Sequence, residues 1–114
     1  MPPAKVPAVP VYAGDTCQFP AYTFTSAGVA RNFVTENLTN WQATWQPLTA
    51  GSVSAMVLTV DSSKAATGIL TLLATASQTR LMGGPGLWDL QVTRDTYVET
   101  IVESTTTYQH DVTP

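Results

Sequence analysis

Hydrophobic and polar residues alternate most cleanly over Gly86-Leu87-Trp88-Asp89-Leu90-Gln91-Val92-Thr93. Trp88, Leu90 and Val92 fall on one side of an extended chain, and Asp89, Gln91 and Thr93 on the other. This period of two predicts a half-buried central strand with Trp88 as its largest core residue. The preceding Met82-Gly83-Gly84-Pro85-Gly86 has loop composition. Trp41-Gln42-Ala43-Thr44-Trp45-Gln46 alternates in the same way, with Trp41, Ala43 and Trp45 inward and Pro47 ending the run.

The rest of the chain fills in around these two strands. Cys17 to Thr25 predicts a strand with Cys17, Phe19, Ala21 and Thr23 on one face and Tyr22 and Phe24 on the other; Pro20 marks an edge or a bulge. Residues 29–40 read as a loop anchored by Phe33 and Leu38. Ser54 to Val60 predicts a strand carrying Met56, Leu58 and Val60 on one face. Ile69 to Ala74, with Leu70 and Leu72, is apolar on both sides and reads as central. Ser77 to Met82 is the one helical candidate, with Ser77 as N-cap and Gly83 as stop. After a turn at Arg94-Asp95-Thr96, Tyr97 to Glu103 returns antiparallel, and a Thr-rich stretch to Val112 continues it or adds a strand.

About seven short strands separated by turn signals predict an all-β, immunoglobulin-like antiparallel β-sandwich with one short helical turn at 77–82. Two segments are expected: an extended Pro-rich arm over 1–10 and the sandwich over 11–114. The arm holds Pro2, Pro3, Pro7 and Pro10, which exclude a helix or a central strand. Val6, Val9, Val11 and Tyr12 are too apolar for a pure linker, and in an assembly such an arm would lie along a neighbour. These four, with Tyr108 and His110, are the interface candidates. The core candidates are Phe19, Trp41, Trp45, Leu58, Leu70, Leu72, Trp88, Leu90 and Val92.

Composition narrows the function classes. Only 11% of residues are charged, while Thr occurs nineteen times, so the polar surface is built largely from hydroxyls and amides. A net charge of −3 argues against a nucleic-acid partner. No apolar run approaches a membrane span, and Met-Pro-Pro-Ala-Lys is not followed by the apolar core of a secretory leader, which sets synthesis and assembly inside a cytoplasm as the expectation. Cys17 is alone and reads as a small buried hydrophobe.

Candidate chemistry is sparse. His110 is the single His and lacks a partner of the kind nucleophilic catalysis uses. One Cys and one His do not make a zinc site, and the five Asp residues form no calcium loop. Glu99 and Glu103 are expected on one solvated strand face. Gly83-Gly84-Pro85-Gly86 lacks the Lys and helix of a phosphate loop. Neither a cofactor nor enzymatic activity is expected. Trp41, Trp45 and Trp88 could form a sugar platform if exposed, but their phase points to the core.

The order of motifs adds a resemblance. Gly14-Asp15-Thr16 opens the first long strand; Asn37-Leu38-Thr39-Asn40-Trp41 leads into a second; Gly68-Ile69-Leu70-Thr71-Leu72 starts a third; Thr79-Arg80-Leu81-Met82 precedes Gly86 to Thr93; and Asp111-Val112-Thr113 closes the chain. Over roughly residues 11–113 this resembles the immunoglobulin-like domain of bacteriophage virion proteins, similar to the N-terminal domain of phage baseplate upper proteins and to small minor tail proteins. Asn40 stands where that pattern has Gly. The resemblance implies a non-enzymatic structural protein of a tailed-phage particle, a minor tail or baseplate component or a capsid decoration protein. It would be located in the virion after assembly in the host cytoplasm. Its partners would be other virion proteins and copies of itself, with no nucleic acid and no membrane. The alternative is a carbohydrate- or receptor-binding module on the virion exterior.

Overall fold

The computed structural model describes residues 4–49 and 53–109. His110, the Asp111-Val112-Thr113 motif and Gly51 lie outside them. The chain is all-β. Its strands are β1 (Ala4–Lys5), β2 (Val9–Tyr12), β3 (Cys17–Gln18), β4 (Tyr22–Thr23), β5 (Thr25–Ser26), β6 (Val29–Ala30), β7 (Asn40–Pro47), β8 (Met56–Asp61), β9 (Ile69–Ala74), β10 (Gly86–Arg94) and β11 (Tyr97–Gln109). One 3-10 turn (Ala65–Thr67) and one helix, α1 (Ala76–Met82), interrupt them.

The main ladder runs β1-β11-β10-β7-β8-β9-β3, with β2 also on β11 and β4 also on β9. Hydrogen bonds thus link these strands into one continuous curled ladder, and β5 and β6 form a separate two-stranded sheet. The curl happens at β8. Its first half, Met56 to Leu58, pairs with β7, and its second half, Thr59 to Asp61, pairs with β9. A strand that changes partners along its length turns the sheet through a corner. The two ends therefore face each other across the core: Phe19, just beyond β3, meets Trp88 of β10 edge-on at 5.0 Å, and Tyr22 of β4 stacks on the same ring at 6.1 Å.

β10 realises the alternation read from its sequence: Trp88, Leu90 and Val92 are buried and Leu87, Asp89, Gln91 and Thr93 face out. Phe19, Trp45, Leu58, Leu70 and Leu72 are buried with them, and Trp41 packs half-buried against the cluster. Phe33 and Leu38 are fully enclosed and anchor the 31–38 loop.

Four local features differ from expectation or decide between two readings of it. At Pro20 the face switches: Cys17 and Phe19 are buried, then Ala21 and Thr23 are exposed and Phe24 is buried, because an interruption of the ladder at 19–21 shifts the period by one. The helix starts two residues earlier than Ser77 suggests. Thr75 is the N-cap, in a reciprocal capping box with Gln78, and Gly83 ends the helix. Gln78 Nε2 also donates to the Val57 carbonyl at 2.8 Å, closing the open side of β8 before it reaches β9. The Thr-rich stretch is not a separate strand but continues β11 through to Gln109.

The fourth difference is the N-terminal segment. β1 and β2 lie on β11 and run parallel to it, with Ala4 opposite Val102 and Val9 to Tyr12 opposite Thr106 to Gln109. The sheet is therefore not purely antiparallel. Parallel neighbours need a long connection, and here the whole domain supplies it. Val9 and Val11 are buried, so these two interface candidates belong to the core of their own domain.

Candidate interaction surface

The outer face of β7, β10 and β11 presents rows of cross-strand side chains, with one register slip between Leu90 and Gln91. Reading across the strands, the rows are Gln46–Leu87–Thr105, Thr44–Asp89–Glu103, Gln42–Gln91–Thr100 and Asn40–Thr93–Val98. Only Asp89 and Glu103 are charged. Gln91 Nε2 reaches Thr100 Oγ1 at 3.4 Å, so even the amides are partly engaged within the face.

The charged row sits in a groove of about 520 Å³ that also takes in Lys5, Thr44, Gln46 and Leu87. Asp89 and Glu103 are direct cross-strand partners, an arrangement of like charges that opposes pairing. β1 offsets it: Lys5 lies opposite Glu103 on the other side and forms an ion pair with it. Burial, and then the neighbouring Glu103, push the Asp89 carboxyl above its ordinary value.

Glu99 behaves differently from Glu103, although four residues along a strand should share a face. The register slips between Leu90 and Gln91 so that Ile101 has no partner of its own. Ile101 and Val102 are consecutive and both buried. This bulge sends Glu103 outward beside Asp89 and Glu99 inward beside Val92. Glu99 is thus not on a solvated face. Its side chain is 15% exposed and takes two hydrogen bonds from the Arg31 guanidinium, at 2.9 and 3.2 Å. Arg31 also holds Glu36 at 2.7 and 3.3 Å and lies 4.8 Å over the Phe33 ring. The Glu36 and Glu99 hydrogen bonds raise the guanidinium pKa, and Arg31 in turn holds Glu99 below the ordinary carboxylate range, aided by the Tyr97 hydroxyl at 2.9 Å. This is a charge-assisted clamp. It ties the 31–36 loop to β11.

Two threonines support the face from within. Thr106 is buried, and its Oγ1 accepts from Trp45 Nε1 at 2.9 Å and from the Gly86 amide at 3.1 Å. Thr79 is fully buried in α1. Its Oγ1 accepts from the Gly14 amide at 3.1 Å and lies 2.8 Å from the Asp15 carbonyl, to which it donates. The Tyr108 hydroxyl donates to the Thr79 carbonyl at 2.9 Å.

Of the remaining interface candidates, Tyr12 is exposed, Val6 packs half-buried against the core, and Tyr108 is half-buried on Thr79. His110 lies outside the described residues. Trp45 and Trp88 are enclosed, and the half-buried Trp41 packs T-shaped with the Phe33 ring at 5.7 Å. Burial pushes the Cys17 thiol pKa up, as suits a packing residue. Among the described residues there is no cluster of three metal-ligating side chains and no helix long and apolar enough to cross a membrane. The face with its groove was not legible from the sequence because Lys5 and Glu103 meet across 98 residues of chain. Comparison with protein-family models gives no match, and comparison with curated proteins gives none either.

Proposed function

We propose that this protein is a non-enzymatic structural component of a tailed-bacteriophage particle, assembled in the host cytoplasm and working through protein–protein contacts with other virion proteins and with its own copies. The observation that carries the reading is the outer face of β7, β10 and β11. Its rows of side chains carry only two charged residues, Asp89 and Glu103, and depletion of charge is a mark of the buried part of protein interfaces. The segment that forms its middle strand, Gly86 to Thr93, is also the stretch on which the resemblance to phage virion domains rests most heavily. A minor tail or baseplate position and a capsid decoration position fit this surface equally. A sugar-binding role is less well supported, because Trp45 and Trp88 point into the core.

Negative-stain images of phage particles labelled with an antibody to this chain test the reading. Label at the tail, baseplate or capsid supports it and separates the positions. Purified particles free of both label and the chain's peptides overturn it.

A further inference from the structure

We infer that the edge of β11 from Val102 to Gln109 is an acceptor for an extended strand, and that in the assembled protein it receives the N-terminal strand of a second copy of this chain. The acceptor has a readable specificity. Val9 and Val11, alternate residues of β2, enter the core, while Pro10 between them faces out. This is strand addition, in which backbone pairing holds the segment and alternate side chains fill pockets. Lys5, the single charged residue of the segment 4–12, meets the Asp89–Glu103 row, and Ser104 Oγ donates to the Val6 carbonyl. A second copy brings the same side chains in the same order.

The link between donor and body favours exchange. Tyr12 ends its pairing with Gln109 on one edge of the sheet, and Cys17 starts pairing with Ala74 near the opposite edge. Only residues 13–16 join them, a reach of about 14 Å when extended. They make a tight turn in which Asp15 N bonds to the Tyr12 carbonyl at 3.1 Å and Gly14 has φ 84°. Opening this turn, together with its two bonds to the Thr79 hydroxyl, lets residues 4–12 leave their own β11 and make identical contacts on a neighbour, and short hinges invite such swaps. Two copies exchanging segments reciprocally close a two-fold dimer. This holds wherever the protein resides, so its failure would leave the particle reading standing.

The test uses full-length Lys5→Glu and Glu103→Lys chains. Alone, each places like charges opposite each other at this position. Combined by exchange, both contacts of the dimer pair opposite charges. The two chains are unfolded and refolded separately and together, and their masses are read by native mass spectrometry. The expected result is a 1:1 two-copy species at least about tenfold more abundant in the mixture than the two-copy species of either variant alone. Monomers only, or homodimers that form equally well in each variant alone, overturn the inference. Gly14→Val covers the case of a charge variant that does not fold: a β-branched residue resists positive φ and opens the turn, so the two-copy fraction rises with concentration. A Gly14→Val protein that stays monomeric throughout also overturns it.

Discussion

Gly86 packs against the indole of Trp45, and a β-carbon at position 86 would overlap its Cε2 and Nε1. It would also stand 2.5 Å from the Gln46 carbonyl oxygen, part of the strand paired with β10. The pairing of β10 with β7 near Pro47 therefore depends on the bare backbone at Gly86. Gly86→Ala is expected to destabilise by about 1–3 kcal/mol through overpacking. Urea unfolding checks this, and a change below about 0.5 kcal/mol would mean that the indole has room to move.

The same indole depends on Thr106. Thr106→Val keeps the shape but strands two buried donors, Trp45 Nε1 and the Gly86 amide, at an expected loss of about 1–3 kcal/mol for each. Thr106→Ser retains the acceptor and should lose much less. If the two variants unfold at the same denaturant concentration, the hydroxyl is not the reason Thr stands there.

Trp88 carries the contacts that hold the curled sheet closed on itself, through Phe19 and Tyr22. Trp88→Ala should cost about 3–5 kcal/mol. Thermal unfolding monitored by circular dichroism reports it. A loss typical of an exposed position would contradict the burial of this ring.

The N-terminal strand makes a contrast within three residues. Val9→Ala and Val11→Ala remove buried methyl groups and should each cost about 1.5–3 kcal/mol. Pro10→Ala, on the exposed residue between them, should change stability by less than about 0.5 kcal/mol. Equal effects at all three positions would be inconsistent with an alternating buried strand.

Two carboxylates shape the pH dependence in opposite senses. Glu99 has a folded pKa below its unfolded one, so its contribution is complete above the unfolded value and is lost as pH falls through the folded value. Asp89 has a raised folded pKa, so it opposes folding above that value, and the opposition lifts as pH falls below the unfolded one. Glu99→Gln should flatten the acid limb of the stability curve. Asp89→Asn should stabilise at neutral pH, with the gain fading as pH falls through the raised folded value and gone below about pH 4. Stability curves across the acid range distinguish them, and parallel curves for the two variants would refute the assignment.

Much of the fold was legible because a half-buried strand writes its faces in its residues. Trp88-Asp89-Leu90-Gln91-Val92 and Trp41 to Gln46 do so without ambiguity. Features that break the period by one residue were not. The bulge at Ile101 leaves no mark in Thr100-Ile101-Val102-Glu103 that distinguishes it from an ordinary strand, and it decides which carboxylate faces Arg31 and which faces Lys5. The helix start was misplaced because Ser77 and Thr75 are both competent caps, and only Gln78, three residues after Thr75, completes a box. Parallel pairing of β1 and β2 with β11 was hidden for a simpler reason: local pattern says nothing about a partner 98 residues away.

That separation orders events during synthesis. Lys5 is made 98 residues before its partner Glu103, so residues 4–12 must wait for β11 while the sheet between them forms. Pairings this distant are slow to close and leave edges open in the interval. Pro7 and Pro10 carry no amide hydrogen, so the waiting segment is a poor template for wrong partners.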